Sequence, residues 1–390
     1  MDEIPPTKKK CYWIWWVGCA VFFLLCGIVW GAYWVFKGQY NESTDDSYVN
    51  GNMIMINPFE EGIIVSILAD NAQMVEKGQP LLELDRHDFQ IALDKAQAEL
   101  GDAVRKTVQL FFRVEELEAK IEVAGARVSR AHLDYEHRAA LVEEGGVSRE
   151  DFEHSEIELV AATANLREIE KEWAEAEAQI INTTPFTHPH VEKSKAALRH
   201  AFLALHRCTV LAPTRGIITQ RRAQVGQWVR KYEPLMALVP PDQIWVDANF
   251  REVSLKHLRV GQPVELTSDM YGSDVKFHGR IIGLNPGTGS VFSILPPQNA
   301  TGNWIKIIQR VPVKIALNSE EVKTYPLVLG LTLLTKVDTH DRSGFRLPKI
   351  QPKGEIYATD AFTNELAGVE QMIQQIFIQN CSCAVETHVY

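Results

Sequence analysis

The sequence predicts an α+β chain made of a single N-terminal transmembrane helix, a small β-sandwich split by a long α-helical coiled-coil hairpin, a small β-barrel domain and a C-terminal amphipathic helix. Three observations carry that expectation. Residues Tyr12–Phe36 contain no Asp, Glu, Lys, Arg or His, the segment 62–84 recurs at 216–238, and the stretch between the two copies holds a seven-residue apolar repeat.

Composition narrows the function. The 390 residues are enough for two or three domains, and 40 basic against 50 acidic residues give a net charge of -10. No basic cluster stands out beyond Lys8, Lys9 and Lys10, which argues against a nucleic-acid partner. Six cysteines are too few for a disulfide scaffold, and Cys11, Cys19 and Cys26 lie in or beside the apolar run. Of the others, Cys381 and Cys383 stand in a C-x-C spacing that admits a bond between them, a bond to another chain, or two free thiols.

The apolar run at 12–36 can cross a hydrocarbon core of about 30 Å with some tilt. Trp13, Trp15 and Trp16 mark one end and Trp30, Tyr33 and Trp34 the other, where aromatic side chains sit in headgroup layers. The three lysines before it, against the lone Lys37 and then Glu42, Asp45 and Asp46 after it, predict a cytoplasmic tail at 1–11 and an extracytoplasmic remainder. A cleaved leader fits poorly, because the apolar run continues 17 residues past Cys19.

The repeat aligns without a gap, and ten of its 23 positions are identical, among them Gly62/Gly216, Ile64/Ile218, Gln73/Gln227, Lys77/Lys231 and Leu84/Leu238. Each copy reads as strand, turn, strand, with Gly62, Gly78, Gly216 and Gly226 at the breaks. Neither copy has enough strands to bury a face, so the two are expected to pair into one sandwich. Lys77 and Lys231 read as solvated turn lysines.

Between the copies, steps of four and three from Phe89 to Val142 meet apolar residues at 14 of 16 positions, which specifies a left-handed coiled coil on the order of 80 Å long. Gly145 and Gly146 let the chain reverse, and Ser148 with Asp151 forms a capping box for the return helix. That helix runs through Phe152, Leu159, Leu166 and Trp173 to Ile180, and prolines at 185 and 189 interrupt it before a last helical stretch to Cys208. His188, His190, His200 and His206 match no metal template.

From 244 to 338, short β-rich runs separated by Gly, Asn and Pro suit a small barrel. Phe362, Leu366, Val369, Ile373 and Ile376 form an amphipathic helix that must cover an apolar surface, whether of the barrel, a sister subunit or another protein. No spacing supports a nucleophile with its base, Gly287 and Gly289 precede no Gly-Lys pair, and no metal or cofactor is expected. The chain therefore reads as a non-enzyme.

The two repeat halves resemble those of a biotinyl/lipoyl-type domain. In carriers of that type the modified lysine sits on the hairpin joining the halves, which here is replaced by the insertion, so the resemblance implies no carrier function. The order of anchor, lipoyl-type half, coiled-coil hairpin, second half and β domain resembles the HlyD-type membrane fusion proteins, the periplasmic adaptors of bacterial efflux and secretion systems. Thr44-Asp-Asp-Ser-Tyr-Val-Asn-Gly51 and Arg207-Cys-Thr-Val-Leu-Ala-Pro-Thr-Arg-Gly216 look like the flanks of that family's hairpin. Ile244-Trp-Val-Asp-Ala-Asn-Phe250 and the stretch Gly287-Thr288-Gly289-Ser290 to Lys306, with Asn299 and Trp304, look like its EmrA-like branch.

The resemblance divides the chain into a tail (1–11), a transmembrane helix (12–36), lipoyl-type half 1 (44–86), the coiled-coil hairpin (87–207), lipoyl-type half 2 (208–241), a β-barrel domain (242–342) and a C-terminal segment (343–390). It implies a bacterial inner-membrane protein in a tripartite multidrug efflux system. Its partners would be an inner-membrane transporter of the major facilitator class, a TolC-like outer-membrane channel, and further copies of itself in a homo-oligomeric ring. An adaptor for an ABC-driven protein secretion system is the alternative. Many related adaptors carry Arg, Leu and Ser in an R-x3-L-x6-S pattern at a channel-docking hairpin tip; Leu141 and Ser148 keep that spacing, while His137 stands at the Arg position with Arg138 beside it.

Overall fold

Helix α1 (Tyr12–Phe36) is the charge-free segment, 25 residues long, which at 1.5 Å per residue is about 37 Å. The protein's structure is a computed structural model that describes residues 12–36, 40–289, 291, 308–346 and 354–381. The tail at 1–11 and Cys383 lie outside the described residues. Among the described residues no helix is long and apolar enough to cross a membrane.

After α1 come β1 (Asn41–Thr44), β2 (Ser47–Gly51), β3 (Ile54–Ile56), β4 (Gly62–Ile67), β5 (Met74–Val75) and β6 (Pro80–Leu84). Three helices follow, α2 (His87–Glu143), α3 (Arg149–Ile180) and α4 (Pro189–His206). The chain then forms β7 (Thr209–Leu211), β8 (Gly216–Thr219), β9 (Trp228–Val229), β10 (Met236–Val239), β11 (Ile244–Arg251), β12 (Pro263–Ser268), β13 (Gly272–Leu284) and β14 (Arg310–Leu317). Helix α5 (Ser319–Thr324), β15 (Leu333–Asp338) and α6 (Val369–Cys381) complete it.

The repeat builds two four-stranded sheets, ordered β3-β10-β8-β5 and β7-β6-β4-β9. Each sheet takes two strands from each half, so neither half can form a sheet of the sandwich without the other. Five identical pairs supply the core: Ile64/Ile218, Ala69/Ala223, Val75/Val229, Leu81/Leu235 and Leu84/Leu238 are all at most 2% exposed. The identical glutamines act alike too, Gln73 Oε1 accepting from the Asp70 amide and Gln227 Oε1 from that of Gln224. The backbone repeats even where the residue does not. Ala72 and Gly226 share one left-handed position (φ 63° and 83°), and Gly78 and Tyr232 share the next (78° and 65°).

The third sheet has seven strands in the order β1-β15-β12-β13-β14-β11-β2 around a core that includes Val49, Val246, Phe250, Leu266, Phe277 and Ile315. It curls on itself until the Val49 amide donates to Leu331 O at 2.9 Å and Tyr48 bridges Thr332. Here the division expected from sequence shifts. Residues 41–51 precede the sandwich in the chain, yet β1 pairs with β15 and β2 with β11, so the curled sheet draws two strands from outside 242–342 and half 1 begins at β3. Strand β2 has only Val49 as an inward apolar residue, beside a buried Ser47, and so short a pattern does not say which sheet it joins.

The expected hairpin follows α2 for 57 residues, a rod of about 85 Å, and returns along α3 and α4. Positions on the predicted stripe are buried at intervals from the base to beyond mid-arm, as at Leu93, Leu100, Val114, Leu117 and Ala124, and half-buried from Val128 to Val142. Near the base, Val104 and Val108 are buried as well, because α6 lies against α2 and α4 there. The C-terminal helix itself is shorter than the apolar spacing predicted. Gly368 takes a left-handed backbone (φ 92°), so Phe362 and Leu366 precede the helix in turns.

The two equivalent strand-start glycines make a paired prediction. A Cβ at Gly216 would stand 2.8 Å from Val239 O and 2.9 Å from Leu238 Cγ, whereas one at Gly62 would meet only Leu84 Cβ at 3.8 Å. In chemical denaturation Gly216→Ala is expected to cost about 1–3 kcal/mol. Gly62→Ala should change stability by no more than about 0.5 kcal/mol.

Candidate functional site

At the far end of the hairpin the chain reverses within five residues. Helix α2 stops because Gly145 adopts φ 74°; its amide donates to Val142 O at 3.2 Å and that of Gly146 to Leu141 O at 2.9 Å. Ser148 opens α3, its Oγ accepting from the Asp151 amide at 3.1 Å and donating to Asp151 Oδ2 at 2.6 Å. Arg138 ties the two helices together, donating to Asp151 O at 2.9 Å and pairing with Asp134 at 3.1 Å, one turn from the stacked rings of Tyr135 and Phe152. The five tip residues expected from sequence thus lie together, and four are occupied in making the turn. Leu141 is the one that presents an apolar side chain outward, at 44% exposure, with His137 exposed nearby.

Of the remaining residues singled out in the sequence, Gly78 and Gly226 sit at left-handed turn positions and Gly62 and Gly216 open strands of the sandwich. Gly287, Thr288 and Gly289 leave β13, and the Gly289 amide returns to Arg310 O at 3.3 Å. Ser290, Asn299 and Trp304 lie outside the described residues.

The hairpin base carries features that sequence reading missed. Helix α6 lies on the chain's own α2 and α4, a surface the sequence reading did not consider, with Val369, Ile373 and Cys381 buried. Arg199 grips Glu370 with two bonds of 2.7 and 3.2 Å, and Arg207 grips Glu365 at 3.0 and 2.8 Å. Further down the segment, Asp360 pairs with Lys77 of the sandwich, and Thr359 Oγ1 donates to Pro213 O. Lys195 is buried at the break between α3 and α4, donating to Phe186 O at 2.6 Å and Glu192 at 2.9 Å with its ammonium 3.1 Å from the Phe186 ring centre. The only sequence signal for it is a Glu three residues earlier on a helix.

The histidines of that break have structural work. His188 caps α4, its Nδ1 accepting from the His190 amide at 3.3 Å, which leaves Nε2 to donate to Gln179 O at 3.1 Å. Among the described residues no group of three or more His, Cys, Asp or Glu could hold a metal ion. Burial in the sandwich core pushes the Cys208 thiol up to about 12, so it stays protonated and is a poor nucleophile. The arrangement presents a rigid arm, a small tip, and a base fastened at several points.

The helical arm matches the family described as EMRA, alpha-helical hairpin domain, over residues 87–208. Over 350 residues, 90% of each chain, the protein is 38% identical to the multidrug export protein EmrA of Escherichia coli (strain K12). It is 40% identical over 297 residues to the fatty acid resistance protein FarA of Neisseria gonorrhoeae, covering 76% of this chain and 75% of that one. A solved structure of the periplasmic adaptor protein EmrA aligns over 77% of this chain and 99% of its own at 19% identity and a TM-score of 0.40.

The ion pair between α4 and α6 sets a pH dependence. The Arg199 guanidinium holds the Glu370 carboxyl below the usual glutamate range, so its contribution is present above that range and is lost as pH falls through the depressed value. Protection of amides 369–381 from hydrogen exchange, taken relative to the intrinsic rate at each pH, is expected to hold from pH 7 down to the usual glutamate range and to fall below it. Glu370→Gln should show lower protection at pH 7 and little further loss on acidification.

Proposed function

The chain belongs to the EmrA family of multidrug export proteins, and from that premise we propose that it is the periplasmic adaptor of a tripartite efflux system. In this reading α1 crosses the inner membrane with residues 1–11 in the cytoplasm, and everything after residue 40 is periplasmic. The partner beside α1 is a transporter of the major facilitator class, and the hairpin tip meets a TolC-like channel of the outer membrane. Several copies stand side by side in a ring, since one sandwich and one hairpin enclose no passage.

The observation that carries the proposal is a near-full-length likeness to an exporter component, which spans the sandwich, the hairpin and the curled sheet together. Physical features agree with it. A helix about 37 Å long without charge suits a single anchor, and a coiled coil of about 85 Å suits an arm that reaches away from the membrane. At the tip, Leu141 is the side chain offered to a partner, with Arg138 and Ser148 holding the turn that presents it.

Solubilising native membranes and capturing the tagged chain is the test. A co-purifying many-helix transporter without an ATPase domain is the expected result; an ABC transporter, or no transporter at all, would overturn the proposal. Within the same preparation Leu141→Glu should remove the outer-membrane channel and raise drug susceptibility severalfold, while the inner-membrane partner still co-purifies.

A further inference from the structure

The coiled coil of the arm uses one stripe on each helix as its seam, and a second stripe is left in solvent. On α2, Ala119, Val123, Ala126, Arg130 and Leu133 follow one another at steps of four, three, four and three, the spacing of the seam itself. Leu133 stands two residues from both Ala131 and Tyr135 of the seam, and at about 100° per residue that puts it on the side of α2 turned away from α3. On α3, Ile157, Val160, Ala164, Arg167 and Lys171 keep the same spacing, and Ile157 is likewise two residues from Leu159 of the seam. The two stripes therefore lie on opposite flanks of the hairpin. Val123, Leu133, Ile157 and Val160 are 56%, 54%, 65% and 64% exposed, whereas the seam beside them is buried or half-buried.

Both flanks also carry charge, and the signs match from one to the other. The helices run antiparallel, with Tyr135 stacked on Phe152, Glu118 bonded to Trp173 and Arg113 reaching Glu172. Counted from these contacts at 1.5 Å per residue, Leu133 and Ile157 stand within about one turn of the same height. Glu122 and Arg167 are level too, four and six residues tipward of the Glu118–Trp173 contact. Glu115 and Lys171 lie two and one residues tipward of Arg113 and Glu172, and Arg130 and Glu156 five and four residues below the Tyr135–Phe152 stack. All six are exposed, and none of them takes part in an ion pair among the described residues. Of the other charges bordering the α3 stripe, Glu153 is already paired with Arg149, and Glu168 stands level with Lys120 of α2.

We infer that the two flanks are the contact between neighbouring copies of this chain, α2 of one hairpin lying against α3 of the next. In that contact Val123 and Leu133 of one copy meet Ile157, Val160 and Ala164 of the other. Glu115, Glu122 and Arg130 then face Lys171, Arg167 and Glu156. A second copy is the occupant because the flanks are opposite in sign at three heights and every copy carries one of each. Two different surfaces make a head-to-tail contact, which closes into a ring only when it repeats without a rise. Groups that stand level on the two flanks meet that condition. The inference rests on the proposal that several copies stand in a ring, and it names the surfaces that hold them side by side.

The test is disulfide trapping in membranes, with the full chain co-expressed in two differently tagged forms, one carrying Leu133→Cys and the other Ile157→Cys. On mild oxidation a dimer bearing both tags is expected severalfold above either dimer of like forms, and above the background from the chain's own cysteines. Glu122→Arg on the first form should lower that yield about threefold, within the range of an exposed charge pair. Arg167→Glu on the second form should restore it, and because the two substitutions never share a chain, the rescue reports a contact between copies. Co-purification of the two tags without the mixed dimer, like forms trapped as strongly as unlike ones, or absence of rescue would each overturn the inference and leave the ring proposal standing. Tags that do not co-purify at all would overturn both.

Discussion

Pairing between β6 and β7 is the constraint on which the architecture depends. These two strands, on either side of the hairpin in sequence, lie side by side, with Pro80 opposite Leu211 and Glu83 opposite Thr209. Helix α2 begins three residues after β6 ends, and α4 ends three residues before β7 begins. The feet of the arm are therefore fixed at the spacing of adjacent strands, about 4.8 Å between backbones. A hydrogen bond from the Leu84 amide to Cys208 O at 2.8 Å continues the pairing up to the helices. The sandwich acts as the socket of a long lever, and its interleaved sheets mean that the socket cannot open without both halves coming apart.

Along the lever the means of stabilisation changes. Near the socket three helices share one core, and apolar positions on two faces of α2 are buried. Further out only α2 and α3 remain, and a two-helix coiled coil can cover no more than one stripe on each helix; its seam stays buried at Leu117 and Ala124 and is half-buried from Val128 outward. Polar contacts supplement it there, such as Trp173 Nε1 donating to Glu118 and Arg113 reaching Glu172. At the end, a glycine turn and a Ser148 cap close the hairpin with the fewest residues, leaving a narrow tip with one exposed leucine.

The C-terminal segment joins parts that the chain order keeps apart. From Thr359 on β7's flank, through Asp360 on Lys77 and Glu365 on Arg207, to Glu370 on Arg199 and Asn380 on Arg105, it runs from the sandwich onto the arm. The exposed pairs among them contribute little singly, whereas Glu365 is buried beside Arg207. Together with the burial of Val369, Ile373 and Cys381 they tie the lever's angle to the sandwich.

The sequence by itself determined every feature that rests on local repetition. The 23-residue repeat gave the two halves of the sandwich, the heptad stripe gave α2 and its partner, and Gly145, Gly146 and Ser148 marked the reversal, because periodicity and backbone conformation are written in neighbouring residues. The tertiary structure alone decided which strands join which sheet. Thr44 and Ser47 face inward as polar residues, and only pairing with strands some 200 to 300 residues away makes 41–51 part of the curled sheet. It also decided what α6 covers, since an amphipathic face states that it must be buried but not against what. Buried Lys195 was invisible for the same reason, because a polar residue's burial depends on chain segments that its neighbours in sequence do not specify.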